Sequence, residues 1–216
     1  MFTTSTMRVR ANFRENRLLH TLIGVYVIVW SIAVIKPLHP DDWLLENVLV
    51  VTFLPLLALT YKRFPLSDMS YVLITVFMIL HAVGAHYTYS DVPFGFWLQQ
   101  AFDFSRNHYD RIVHFSFGLL MAYPVREIFL RVANTKGFWA YYLPLDVTLA
   151  FSAVYEIVEW LAASATNPEL GDAYLGMQGD QWDAQKDIGL AATGALICMI
   201  LTATIRTLRA KRAQEK

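Results

Sequence analysis

The chain has 216 residues, is 56% hydrophobic and 14% aromatic, and balances 18 basic residues against 18 acidic ones. Zero formal net charge excludes a dedicated binder of nucleic acid or another polyanion, and a single cysteine excludes an internal disulfide or a thiolate metal site. Apolar runs of about 18–22 residues recur, each long enough to cross a hydrocarbon core of roughly 30 Å as a helix. The expectation is an all-α, polytopic membrane protein, one integral domain over residues 1–216 with no room for a soluble domain.

Six spans are expected, near 18–35, 44–60, 70–87, 110–130, 143–164 and 185–206. Arg8, Arg10, Arg14 and Arg17 precede the first, which is too long for a cleaved signal segment and reads as a retained helix. Lys36, Asp41 and Asp42 lie in the first connection, and Glu46 near its start makes the second span the least regular. Lys62 and Arg63 follow it. The third span ends in His81, Gly84 and His86. The two histidines stand about 140° apart on a helix, so His81 is expected to face inward and His86 to sit at the interface. In the connection 88–109, the stretch PFGFWLQQAFDFS places Phe94, Trp97, Leu98, Ala101 and Phe102 on one face, the pattern of an amphipathic helix lying in the membrane surface. Asp110 and His114 open the fourth span, and Arg126, Glu127, Arg131 and Lys136 close it. Arg126 and Glu127 read as an ion pair snorkelling to the surface. Glu156 and Glu159 lie late in the fifth span. The connection 165–182 has acids but no Lys or Arg, and three glycines punctuate the segment LGDAYLGMQGDQWDAQKD. This segment and the amphipathic stretch look like covers for the polar cluster, either as structural packing at the membrane surface or as a lid or substrate entrance. Asp183 and Asp187 open the last span, which holds Cys198 as a packing residue and ends in Arg206, Arg209, Lys211, Arg212 and Lys216.

Because Lys and Arg accumulate in cytoplasmic loops, this alternation predicts both termini inside. The third and fifth spans then end, and the fourth and sixth begin, at the outer face. At 1.5 Å rise per residue, Glu156 lies about 12 Å below its helix end and His114 about 6 Å below its start. His81, Asp110, His114, Glu156, Glu159, Asp183 and Asp187 are therefore expected in one outer-leaflet layer. A charge in hydrocarbon costs roughly 2.5–3.5 kcal/mol even on insertion scales, so such residues are rare without a task.

Residues three or four apart share a helix face. Three inward stripes follow: Asp110, His114, Gly118, Met121; then Ser152, Glu156, Glu159, Ala163; then Asp183, Asp187, Ala191, Gly194, Cys198. Asp110 and His114 can approach one ion or share one proton. The bland alternative makes Asp110 a first-turn acid favoured by the helix dipole and His114 a packing residue. Glu156 and Glu159 on one buried face repel, so one carries a proton or a cation lies between them. Asp180 resembles a helix cap, with Asp183 in the first turn after it. There is no phosphate-cradling glycine loop, no HExxH and no nucleophile elbow.

The stretches HYDRIVHFSFG, YEIVEW and GMQGDQWDAQKDIGLAATG resemble the signature blocks of the YjdF-like bacterial inner-membrane proteins, a domain of unknown function, over residues 15 to 206. More distantly, an acid four before His-Phe, a buried Glu and a late Asp followed by Gly resemble the VanZ-like proteins, from which the QGDQWDAQ stretch departs. The first resemblance implies a multi-pass protein of the bacterial inner membrane and supplies no substrate.

Three function classes stay open. The first is a metal-assisted hydrolase or transferase acting at the outer face on a lipid-linked or interfacial substrate. In it Asp110, His114, Glu156 and Asp187 bind Zn, Mn, Mg or Fe, Glu159 or Asp183 is the general base, and His81 stabilises charge. The second is an ion- or proton-coupled transporter, against which stand the lack of an internal repeat and of broken midplane helices. The third is a non-catalytic binding or scaffold protein. The bilayer is the one certain partner, and the oligomeric state is not legible.

Overall fold

The computed structural model describes residues 12–165 and 178–215. Arg8, Arg10 and the 170–177 part of the expected covering segment lie outside them. After a 3-10 turn at Phe13–Glu15 come α1 (Arg17–Ala33), α2 (Pro40–Tyr61), α3 (Asp68–Tyr87), α4 (Pro93–Phe102), α5 (Tyr109–Val132), α6 (Trp139–Ala165) and α7 (Asp183–Gln214), with no strand among the described residues. Five of them, α2, α3, α5, α6 and α7, are long and apolar enough to cross a membrane. The 17 residues of α1 make a shorter apolar helix, about 25 Å long at 1.5 Å per residue.

Local chemistry sets the helix boundaries. Asn16 and Ser67 cap α1 and α3 by accepting the amide hydrogens of Leu19 and Ser70. Pro40 at the first position, with Asp41 and Asp42 in the first turn, starts α2 four residues earlier than the apolar run suggests. Those two acids, read from sequence as loop residues, are therefore helical. At its far end α7 runs past the apolar stretch, because Arg206 to Gln214 is rich in Ala, Arg and Lys, which are good helix formers. Thr88 and Asp103 end α3 and α4 in left-handed backbone conformations. The expected surface helix is α4. Only Gly95 of this helix is buried, closed over by Asn107, while Phe94, Trp97 and Phe102 are exposed.

The helices pack around α3 and α5, each half buried in its span-forming stretch. The closest packing joins α5 to α7. A Cβ on Gly118 would fall on the Ala191 carbonyl, and one on Gly194 would meet the Phe115 carbonyl. The stripes of small residues thus bring two backbones together, as they do in membrane helix pairs. The polar residues above them on the same stripes then have to face each other. Cys198 packs in this seam. His86 is tied to α1, its Nδ1 2.9 Å from the Ala33 carbonyl.

Arg126 and Glu127 correct the snorkelling expectation. Both are buried, at 1% and 0% exposure, and they do not pair with each other. Glu127 accepts from the Ser67 amide, the Ser67 and Ser70 hydroxyls and Arg131 Nη1 (2.6 Å), which joins α5 to the start of α3. The Arg126 guanidinium lies 4.6 Å from the centre of the Tyr141 ring instead.

Candidate metal centre

At the other end of the bundle, three helices bring four acids to one imidazole. Asp110 and His114 sit one turn apart on α5, with His114 Nε2 3.4 Å from Asp110 Oδ1. From α6, Glu156 Oε1 reaches the same nitrogen at 3.4 Å. Asp187, at the start of α7, completes one triad with Asp110 and His114, while Glu156 and Glu159 complete a second on His114. Within each triad the candidate donor atoms lie within 4.8 Å of one another. All five side chains come from the three inward stripes read from the sequence.

The cations nearby are engaged elsewhere. Arg106 and Arg111 both bind Asp183 Oδ1, the latter at 3.0 Å, and Arg111 and Lys186 bind Asp180 Oδ2 at 2.5 Å each. Among the described residues, no Lys or Arg pairs with Asp110, Glu156, Glu159 or Asp187. Glu156 Oε1 and Asp187 Oδ1 are buried without any hydrogen-bond donor, and so is Ser152 Oγ. Buried acceptors in that condition cost free energy that a ligand can recover. Asp183 belongs to the arginine-bound layer, since one of its oxygens is shared by two guanidiniums. Asp180 does not cap α7, whose cap position is Trp182, but its Oδ1 accepts the Trp182 amide hydrogen. Lys186, and after it the Trp182 amide and Arg111, hold the Asp180 carboxyl down to about 2.

His81 faces inward, as its position on the helix wheel predicts, and is 1% exposed. Its Nε2 lies 3.1 Å from the Glu46 backbone carbonyl and its Nδ1 2.5 Å from the Tyr89 hydroxyl. A carbonyl only accepts, so Nε2 carries the hydrogen and Nδ1 accepts from Tyr89. Burial, and then the nearby Glu46 and Asp110 charges, raise the Tyr89 phenol well above its ordinary value, which keeps it a donor. Both ring nitrogens of His81 are therefore engaged, with none left for a reacting group in this arrangement.

Sequence reading missed the share of α2. Glu46 is 4% exposed and accepts from the Tyr155 hydroxyl at 2.7 Å, with its other neighbours His81 and, one turn back, Asp42. Asp42 is also buried and accepts from Thr88. The signal was present as two acids four residues apart, the same spacing as Asp110 and His114. Between the α2 group and the His114 cluster lies a cavity of about 100 Å³, lined by His81, Tyr89, Asp110, His114, Tyr155 and Glu159 beneath apolar walls from Phe77, Phe117 and Phe151. It is large enough for several waters and has the polar partners they need.

The family model described as "Predicted membrane protein (DUF2238)" matches residues 18–208. The chain is also similar to "Inner membrane protein YjdF" of Escherichia coli (strain K12), with 41% identity over 171 residues, covering 79% of this chain and 81% of that protein. No solved structure matches.

Proposed function

Since the chain belongs to this family of inner-membrane proteins, whose description names no reaction, we propose from its own geometry that the His114 cluster holds a divalent metal ion. The reading extends to metal-assisted hydrolysis or transfer on a lipid-linked or interfacial substrate. One observation carries it: four carboxylates converge on a single imidazole and, among the described residues, no Lys or Arg pairs with them, although three cations stand one layer away. Oxygen donors with one imidazole suit Zn, Mn, Mg or Fe. Asp110, His114, Glu156 and Asp187 are the ligands in this reading. A bound ion lowers the pKa of its water toward about 7. Glu159, which lines the cavity beside His114, is placed to take the proton as general base. Tyr155, hydrogen-bonded to Glu46, lines the far side, and His81 positions Tyr89. Asp183 anchors the arginines that close the site.

In this proposal all six long helices cross the membrane, and both termini are cytoplasmic. Lys62, Arg63, Arg131, Lys136 and the basic residues late in α7 lie at the end away from the cluster. The Arg and Lys residues at the cluster end are largely neutralised by Asp180 and Asp183. A substrate then approaches from the outer leaflet, past the exposed aromatic face of α4. A carrier would need a polar route between the two ends, whereas below His114 the inward face of α5 presents Gly118, Met121 and Ala122.

The test is bound metal, measured by elemental mass spectrometry on the protein purified in detergent, beside His114→Ala and Glu156→Ala. Near-stoichiometric metal in the parent, lost from both variants while they keep parental helicity, is the expected result. A parent that takes up none of Zn, Mn, Mg or Fe when supplied sinks the proposal.

A further inference from the structure

The end of the bundle away from His114 opens between α1, α2 and α3 into a second cavity, of about 1040 Å³. That is above the roughly 300–1,000 Å³ typical of small-molecule pockets. Its walls are apolar along the length of α1 and α2, with Leu22, Val27, Val51, Leu54 and Met78 among them. The α2 wall is open, since Val51 is 63% exposed. Two features break the apolar character. At the mouth stand Arg14, in the 3-10 turn, and Lys62, just past α2, and neither makes an ion pair among the described residues. On the wall, Tyr26 is 8% exposed and its buried hydroxyl has no hydrogen-bond partner.

Apolar walls at membrane depth exclude ordered water, because a water needs two to four polar partners. A concave slot with cations only at its mouth matches an elongated apolar body with an anionic head. We propose that this cavity binds one membrane phospholipid with an anionic headgroup. Its acyl chains lie between α1 and α2, and its phosphate lies at Arg14 and Lys62. Side chains on a helix incline toward its N-terminus, so Tyr26 leans toward the mouth and offers its hydroxyl to the glycerol-ester oxygens. Basic residues near a bilayer surface each attract anionic lipid by about 1 kcal/mol. Chain burial holds the lipid in this site, and the two cations choose its head. The metal reading has no part in the argument.

The test is native mass spectrometry of the full chain released from mild detergent, after equilibration with equal phosphatidylglycerol and phosphatidylethanolamine. The expected result is one phospholipid per chain, with phosphatidylglycerol preferred about thirtyfold. Ala58→Trp, which fills the cavity from the exposed α2 wall, removes the lipid. The pair Arg14→Gln with Lys62→Gln, both exposed and harmless to the core, keeps a lipid but loses the headgroup preference. The proposal is overturned if the parent retains no more lipid than Ala58→Trp, or if the double variant keeps the preference. It is equally overturned if the cavity-filling variant abolishes a dimer in place of a bound lipid.

Discussion

Replacing Glu156 by Gln should change stability in opposite directions with and without metal. Glu156 and Glu159 offer oxygens within 4.8 Å of each other and of His114, with no Lys or Arg between them. At an effective dielectric of about 20, two charges at that separation interact by about 3.5 kcal/mol. That figure is the repulsion of two full charges at the 4.8 Å limit, relieved when one carboxylate becomes an amide, and any proton already shared by the pair lowers it. A bound ion acts the other way, since saturation at 100 times its dissociation constant adds about 2.7 kcal/mol to the folded state. In chelator, Glu156→Gln is therefore expected to unfold at a higher temperature than the parent. With the preferred metal in excess the parent gains and the variant, one ligand short, gains little, so the difference closes or reverses. Circular dichroism on heating in detergent, with and without chelator, reads all four midpoints. A variant less stable than the parent in chelator would show that Glu156 makes structural bonds, and a parent indifferent to metal would remove the second half of the argument.

Gly118→Val should cost on the order of 1–3 kcal/mol as an overpacked seam, because its Cβ would fall on the Ala191 carbonyl and force α5 from α7. Gly189→Val, where nothing lies within 4 Å, is the matched control, and thermal unfolding of the pair separates packing from the cost of losing glycine. Asp180 gives a pH prediction. Its folded pKa of about 2 lies below its ordinary 3.8, so its contribution is fully present above that ordinary value and is lost as pH falls through about 2. Asp180→Asn should remove that part of the acid sensitivity without changing the slope at higher pH, as read from unfolding midpoints across a pH series.

Much of the site was legible because the helical period is strict. Asp110 with His114, Glu156 with Glu159, and the Asp187, Ala191, Gly194 row share faces by spacing alone, and the small residues indicated which faces must meet. Which acid faces which cation was not legible, since Arg106 reaches Asp183 across 77 residues of sequence and Arg111 reaches Asp180 across 69. Glu46 escaped notice because one acid in an apolar run looks like a flaw in a span until its carboxylate meets Tyr155 from another helix. The start of α2 was misplaced because hydropathy reads Asp41 and Asp42 as loop, whereas at a helix N-terminus they are favoured. Arg126 and Glu127 were misplaced for a related reason. Composition puts charges at the membrane surface, but the Glu127 carboxylate is buried with its hydrogen bonds supplied by Ser67, Ser70 and Arg131.

The sorting of charge at the cluster end bears most directly on whether the acids are scaffold or site. If the polar cluster served only helix packing, the cheapest arrangement would join the deeper acids to the available cations, because a buried unpaired charge costs more than an exposed one. The fold does this for Asp183, which is 3% exposed, but not for Asp187, at 2%. Arg106, Arg111 and Lys186 bind Asp180 and Asp183 at the beginning of α7, while Asp110, Glu156, Glu159 and Asp187 keep only the His114 imidazole among them. Arg111 is one residue from Asp110 and still turns toward α7, so a shortage of cations within reach does not explain the pattern. The outer ion pairs tie the connection before α5 and the start of α5 to the start of α7, and so fix the mouth of the site. Among the described residues the inner carboxylates are left without a cation, and the proposed metal centre rests on that sorting.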